Sequence, residues 1–191
     1  MDFNELCLGC RTYRRFEQKE IPEEILTELL ENARVANSAM NGQVLRYVLV
    51  KSQETVKKLQ PYFHFAAALP KELGQPKEGE QPTAFIILCT EGRETPWTGI
   101  DIGIAVRTMN LNAYIHGVGS CIIGNVEFEK VKEILSIPET WIPRLALALG
   151  YPSHKSSLVE LPEDGSIKYY LDEERQYYVP KRKQEDISII R

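Results

Sequence analysis

The stretch AFIILC at residues 84–89 precedes TGIDIGIAVRTMNLNAYI at residues 98–115, and these two stretches set the architecture of the chain. The first is short, uncharged and apolar throughout, which predicts a strand buried on both faces. The second carries apolar residues at almost every angle of a helix, which is typical of a helix covered on most sides. Its start, Thr98 to Asp101, resembles a capping box with aspartate in place of the usual glutamate. We therefore expect a core helix that also packs against a second subunit.

Helix and strand patterns alternate on both sides of these stretches. Pro22-Glu23-Glu24 predicts a helix start, because proline fits the first helical position and carboxylates favour the positive end of the helix dipole. The other patterns predict a helix over 127–135 and strands over 45–50, 120–123 and 144–149. With no internal repeat, the pattern predicts a single domain over 1–191 of the α+β class, with one small sheet among helices.

Two segments depart from this alternation. Residues 70–82 form a polar stretch rich in proline, glutamate and glutamine, which indicates a surface loop or lid. Beyond residue 152, the tyrosine-rich runs 167–171 and 176–179 are joined by Asp-Glu-Glu-Arg. This pattern fits a hairpin and equally fits an arm that wraps another subunit.

Composition excludes several classes of protein. The chain has 191 residues, 43% of them hydrophobic, and a net charge of −4, as expected for one globular domain. A general nucleic-acid binder needs a basic face, which this balance disfavours. The longest uncharged apolar strand is far too short to cross a bilayer. Residues 1–5 do not resemble a signal peptide, and the four cysteines are expected to be reduced thiols, so we expect a cytoplasmic protein.

An acidic protein that binds an anion must do so with a local cluster of cations. Arg11-Thr12-Tyr13-Arg14-Arg15 places guanidinium groups and a hydroxyl close together, which suits a phosphate, although a solvated basic run would look the same. Lys181-Arg182-Lys183 is a second such cluster. Ser38-Ala39-Met40-Asn41-Gly42-Gln43 offers hydroxyl, amide and backbone donors in one polar turn, and equally fits a turn with no ligand.

The order and spacing of these segments resemble the FMN-dependent nitroreductase family. RTYRRF at 11–16 and ARVANSAMNGQ at 33–43 follow its pattern, roughly R-[ST]-x-R-x-F and then A-x-x-A-P-S-x-x-N-x-Q-P before a strand. Further matches in the same order lie at 101–105, 117–124, 147–152 and 180–183. The resemblance implies a small, mostly antiparallel sheet surrounded by helices, and an intertwined homodimer with two FMN molecules at its interface. Residues 153–191 would be a C-terminal arm that packs on the partner.

The resemblance also implies roles for particular residues. Arg11, Thr12 and Arg14 would hold the FMN phosphate and its ribityl or pyrimidine side. Lys181 and Lys183 would add positive charge at the phosphate.

Other residues would surround the ring. Ser38, Ala39 and Asn41 would reach the flavin from the other subunit, and the backbone around Ile123 and Gly124 would face flavin N5. A guanidinium such as Arg14 beside the ring would stabilise negative charge on it. Such a site needs neither a protein nucleophile nor a metal.

The function implied is an FMN-dependent oxidoreductase that uses NADH or NADPH. Hydride would pass through flavin N5 to nitroaromatic, quinone or similar small acceptors, and one shared open pocket would give ping-pong kinetics.

The chain departs from the family pattern at three places. Asn37 replaces a proline, Val44-Leu45 replaces Pro-Trp, and Lys183 replaces an arginine. The first two alter loop stiffness and packing, and the third keeps charge while losing a bidentate fork.

Two alternatives stay open. One is another flavin enzyme on the same scaffold, a reductive dehalogenase or a flavin-fragmenting enzyme, for which the 70–82 stretch is a short lid. The other is a flavin-holding or redox-sensing protein whose Cys7 and Cys10 exchange with a partner. No second cysteine pair completes a zinc site, so plain thiols on a first helix are favoured.

His64, between two phenylalanines, is expected to be structural or to line the flavin pocket.

Overall fold

The computed structural model describes residues 1–191. Its six α-helices are α1 (Phe3–Gly9), α2 (Glu23–Val35), α3 (Gln53–Leu59), α4 (Lys71–Gly74), α5 (Thr98–Ile115) and α6 (Phe128–Leu135). Its eight strands are β1 (Phe16–Glu17), β2 (Leu45–Val50), β3 (Ala84–Glu91), β4 (Gly119–Ile123), β5 (Trp141–Pro152), β6 (Ser156–Glu160), β7 (Tyr170–Leu171) and β8 (Tyr177–Lys181). Short 3-10 turns lie at Ala39–Asn41, Gln60–Tyr62 and Gln184–Asp186. The predicted α+β class is confirmed.

The main sheet has five strands and is antiparallel throughout. Its order is β1-β5-β3-β2, and β4 also pairs with β5. A second sheet has the order β6-β8-β7, in which β6 and β8 run parallel and β7 and β8 antiparallel. The mostly antiparallel sheet expected from the sequence is therefore confirmed.

The core lies on both faces of the main sheet, which explains the continuous apolar sequence of β3. Ile86 and Leu88 point to one face, where they pack with residues of α2 and α5. Phe85 and Ile87 point to the other face, where they pack with residues of α3 and α6. Because successive strand side chains alternate between faces, a strand covered on both sides must be apolar at every position.

The predicted helix starts need two corrections. Pro22 is the residue before α2 rather than its first residue, a displacement of one position. The capping box predicted at Thr98 and Asp101 is wrong, because α5 has Trp97 at its cap position without a side-chain cap bond. Thr98 Oγ1 instead accepts a hydrogen bond from the Thr95 backbone N–H. Asp101 is buried and accepts the Ala39 N–H at 2.9 Å, so it holds a distant turn.

The two segments that departed from the alternation both contain regular structure. The polar stretch at 70–82 includes the one-turn helix α4. In the C-terminal region the hairpin is observed, with β7 and β8 joined through the turn at 172–176. That hairpin packs on β6 of its own chain. No helix in the structure combines the length and the apolar character that a membrane span requires.

Candidate functional site

The segment that follows α1 runs along β4 and brings the first arginine cluster to the sheet. Thr12 forms a β-bridge with Ser120, and the Tyr13 N–H donates to the Ser120 carbonyl oxygen at 2.9 Å. These contacts fix the main chain between Arg11 and Arg14 against the strand. Two clefts open beside this segment.

The first cleft has a volume of about 480 Å³ and lies between the 10–12 segment, α5 and β4. Arg11 lines it, and its Nη2 donates to the Cys7 carbonyl oxygen at the end of α1. The Arg11 Nε hydrogen is buried without an acceptor in the protein. From α5, Arg107 points to the same cleft and its Nη1 lies 3.4 Å from Cys10 Sγ. Thr12, Gly103, Asn110 and Ser120 complete the lining together with Val106 and Ile122.

The second cleft, about 230 Å³, lies at the other end of β4. Arg14 lines it, and its guanidinium lies 4.7 Å from the ring centre of Tyr169 and 4.8 Å from that of Tyr177. Two aromatic faces therefore hold the cation in place. Like Arg11, Arg14 has a buried Nε without an acceptor. A methyl group added at Gly124, which also lines this cleft, would meet no atom within 4 Å.

The two clefts adjoin, because Ile122 lines both. We call the two clefts together the β4 groove. Arg11, Arg107 and Arg14 line this groove, and no carboxylate oxygen lies within 4.0 Å of any of these three guanidinium groups. In a chain with an excess of acidic residues, three unpaired guanidinium groups along one groove favour an anionic ligand.

Arg15 lies outside the β4 groove, in a cluster with Glu80 and Arg175. It is buried, its Nη2 donates to the Arg175 carbonyl oxygen, and its Nη1 lies 4.0 Å from Glu80 Oε1. Glu80 also accepts two bonds from the Arg175 guanidinium, at 2.8 and 3.2 Å. Burial opposes ionisation of Glu80, but the hydrogen bonds from Arg175 and the Lys77 backbone outweigh it and lower its pKa. This ion-pair cluster ties the N-terminal segment to the 70–82 stretch and the C-terminal hairpin.

The sequence-predicted residues fall into three places within one chain. Arg11, Thr12, Arg14, Ile123 and Gly124 line the β4 groove together. The remaining residues lie in the turn between α2 and β2 and at or just after the end of β8.

The turn that contains Ser38, Ala39 and Asn41 lies between α2 and β2. Met40 and Asn41 both adopt positive φ, of 51° and 53°, and Asp101 holds the turn through the Ala39 N–H. Ser38 lines a separate cleft of about 460 Å³ bordered by α2 and β2. The turn therefore meets the β4 groove only if a second copy supplies it.

Lys181 ends β8, and Lys183 follows it in an exposed segment. Neither lines the β4 groove of its own chain. The structure thus does not bring these two lysines to Arg11.

Sequence analysis missed several residues of the groove, above all Arg107. It is the only basic residue in α5, and one basic side chain in a largely apolar helix is the sequence signal that marks it. Tyr169 was noted only as part of a tyrosine-rich run. His64 does line the second cleft, with Nε2 3.3 Å from Glu127 Oε1.

The cysteines are all free thiols, and Cys89 and Cys121 are buried in the core. Cys10 is also buried, and that burial raises the pKa of its thiol. A raised pKa keeps the thiol protonated and disfavours exchange with a partner.

A family model and individual relatives agree on the family to which this chain is similar. The model of the nitroreductase family matches residues 9–151. An NADH dehydrogenase of Thermus thermophilus is 28% identical over 184 residues, which cover 81% of this chain and 89% of that protein. An FMN reductase (NADPH) of Bacillus subtilis is 27% identical over 167 residues, which cover 80% of this chain and 66% of that protein.

The fold is shared with solved structures. The crystal structure of a nitroreductase family protein from Streptococcus pneumoniae superposes with a TM-score of 0.69 at 20% identity, covering 87% of this chain and 99% of that one. Since the family model spans well over half of the sequence, the chain belongs to the nitroreductase family of oxidoreductases.

Proposed function

We propose that this chain is an FMN-dependent oxidoreductase that takes electrons from NADH or NADPH and passes them to small acceptors such as nitroaromatics or quinones. The names of two relatives support this, since one is an NADH dehydrogenase and the other an FMN reductase that uses NADPH. The β4 groove is where the cofactor would bind.

The residues of the groove fit FMN. A phosphate monoester carries close to two negative charges near neutral pH and offers several acceptor oxygens, and the first cleft presents guanidinium and hydroxyl donors to such a group. The buried Nε hydrogens of Arg11 and Arg14 lack acceptors in the protein, so each has a donor available to an anionic or carbonyl-rich ligand. Thr12, exposed beside Arg11, adds a hydroxyl.

Each group has a separate task in this proposal. FMN, when bound, supplies the capacity to accept and return hydride, which no side chain has. Arg14, packed against two tyrosine rings, would hold positive charge beside the flavin ring system, where it stabilises negative charge. Ile123 and Gly124 would line the ring, and the open space at Gly124 leaves room for it. His64 would border the same cleft.

A second copy of the chain would complete the site. Ser38, Ala39 and Asn41 would then approach the groove from the partner. Apolar side chains on α5 support such contact, because Ile100 is 52% and Ile115 58% exposed in the single chain. A single open site on each side of the dimer would serve donor and acceptor in turn, which gives ping-pong kinetics.

The observation that carries the proposal is the meeting of Arg11, Thr12 and Arg14 with Ile123 and Gly124 in one groove. The test is to load the purified protein with FMN and add NADH or NADPH without oxygen. Rapid bleaching of the yellow oxidised flavin, followed by recovery when a quinone is added, is expected. A protein that binds FMN and is not bleached by either nucleotide contradicts the oxidoreductase function.

A further inference from the structure

Helix α5 contributes one cation to the β4 groove. Arg107 is followed three residues later by Asn110 and preceded four residues earlier by Gly103. This i, i+4, i+7 spacing puts the three on one helix face, and all three line the first cleft. A methyl group added at Gly103 would meet no atom within 4 Å, so the helix leaves open space beside Arg107.

Arg107 keeps its charge available. Its one polar contact in the protein is with the sulfur of Cys10, at 3.4 Å. Burial raises the pKa of that thiol, so the sulfur stays neutral and accepts only weakly. The guanidinium therefore has no anion that neutralises it within the chain.

Arg11 and Arg107 reach the first cleft from two different elements. Arg11 comes from the segment after α1 and is held by the Cys7 carbonyl oxygen, while Arg107 comes from α5. Two like charges in one cleft with no carboxylate nearby repel each other, and a dianion between them removes that repulsion. Lys181 and Lys183 line neither part of the groove, so within the chain Arg107 is the available second cation.

We propose that Arg107 binds the phosphate of FMN together with Arg11 and makes the first cleft selective for phosphorylated over unphosphorylated flavin. This inference rests on the proposed function, in which the β4 groove holds FMN. It goes further by assigning the second cation at the phosphate to α5 rather than to the C-terminal lysines.

The experiment compares FMN with riboflavin, which lacks the phosphate. Flavin-free protein is titrated with each compound while flavin fluorescence is recorded, for the wild type, Arg107→Gln, Arg107→Lys and the control Arg93→Gln. Arg93→Gln removes the same positive charge as Arg107→Gln, but Arg93 is exposed and lines neither cleft. We expect Arg107→Gln to raise the Kd for FMN about 10-fold or more, because a charged hydrogen bond to phosphate is lost, and to leave the Kd for riboflavin within about 2-fold.

Two further measurements test whether a contact with the phosphate causes the loss of FMN affinity. Arg107→Lys should lie between the wild type and Arg107→Gln, since it keeps the charge and loses the planar fork. Inorganic phosphate should compete with FMN in the wild type and should not compete with riboflavin. This competition needs no substitution, so it tests the phosphate site even where Arg107→Gln does not fold.

Three results would overturn the inference. The first is an Arg107→Gln protein that binds FMN as tightly as the wild type and the Arg93→Gln control. The second is an equal loss of FMN and riboflavin binding, which shows that Arg107 only supports the shape of the cleft. The third is wild-type protein that binds both flavins equally. Wild-type protein that binds neither flavin overturns the proposed function itself, and the inference with it.

Discussion

The backbone N–H of Arg14 donates a hydrogen bond to Nε2 of His154, 3.0 Å away. Since Nε2 accepts this bond, the ring proton is on Nδ1, which donates to the Lys155 carbonyl oxygen at 2.9 Å. Burial, opposed by the bond to Lys155 and reinforced by Arg15 and Arg14, lowers the pKa of His154 to about 4. A neutral histidine therefore fixes the main chain of the arginine that lines the second cleft.

This relationship predicts that folding stability falls on mild acidification. The pKa of His154 drops from 6.5 to about 4 on folding, so the unfolded chain binds more protons in this range. The contribution to stability is complete above pH 6.5 and is lost as the pH falls towards 4. It should amount to about 2 kcal/mol between about pH 7 and pH 5. Urea unfolding at several pH values measures it.

The matched variant is His154→Gln, whose amide can accept from Arg14 and donate to Lys155 without titrating. We expect it to be less stable than the wild type near neutral pH and to lose less stability on acidification. An unchanged pH dependence in His154→Gln would show that His154 is not the titrating group.

The cluster formed by Arg15, Glu80 and Arg175 should stabilise the position of the C-terminal hairpin. Glu80→Gln removes the charge that both guanidinium groups contact and leaves the buried Arg15 without a carboxylate. We expect a loss of about 1–3 kcal/mol in the free energy of unfolding. Because the pKa of Glu80 is lowered on folding, its contribution is present above its ordinary pKa and is lost as the pH falls below it.

A surface ion pair provides the control for Glu80→Gln. Glu54 contacts Lys58 at 2.7 Å on the exposed side of α3, so Glu54→Gln makes the same chemical change in water. It should alter stability little. Equal effects of the two substitutions in chemical unfolding would contradict a stabilising role for the cluster of Arg15, Glu80 and Arg175.

The tyrosine rings around Arg14 should contribute to flavin affinity. Tyr169→Ala removes one of the two aromatic faces that hold the guanidinium and should raise the Kd for FMN about 3- to 10-fold. Tyr169→Phe keeps the face and should bind FMN within about 2-fold of the wild type. Fluorescence titration checks both, and equal losses in the two variants would point to the hydroxyl instead.

Sequence patterns predicted those helices and strands whose formation depends on neighbouring residues. The strand at β3 followed from its unbroken apolar run, and the start of α2 from its proline and carboxylates, because both signals lie within a few residues. The role of Asp101 did not follow, since its partner Ala39 lies 62 positions away. Because Asp101 lies near the start of α5, the sequence predicted that it caps this helix. In the structure Asp101 instead binds the backbone of the turn at Ala39.

The candidate site shows the same division. Arg11 and Arg14 could be identified because they lie close together in sequence and match a family pattern. A local pattern marks Arg107 as a lone basic residue, but its place beside Arg11 depends on the packing of α5 against the segment after α1. The position of Lys181 at the end of β8 likewise depends on the pairing of β8 with β6, which the sequence does not show.

The central claim is that the β4 groove holds FMN through Arg11 and Arg14, and equilibrium titration of flavin-free protein with FMN tests it most directly. The wild type and Arg93→Gln should bind FMN with the same Kd, while the double variant Arg11→Ala and Arg14→Ala should lose about 100-fold or more in affinity. Circular dichroism should show the double variant to be folded. A folded double variant that binds FMN as tightly as the wild type would contradict the account.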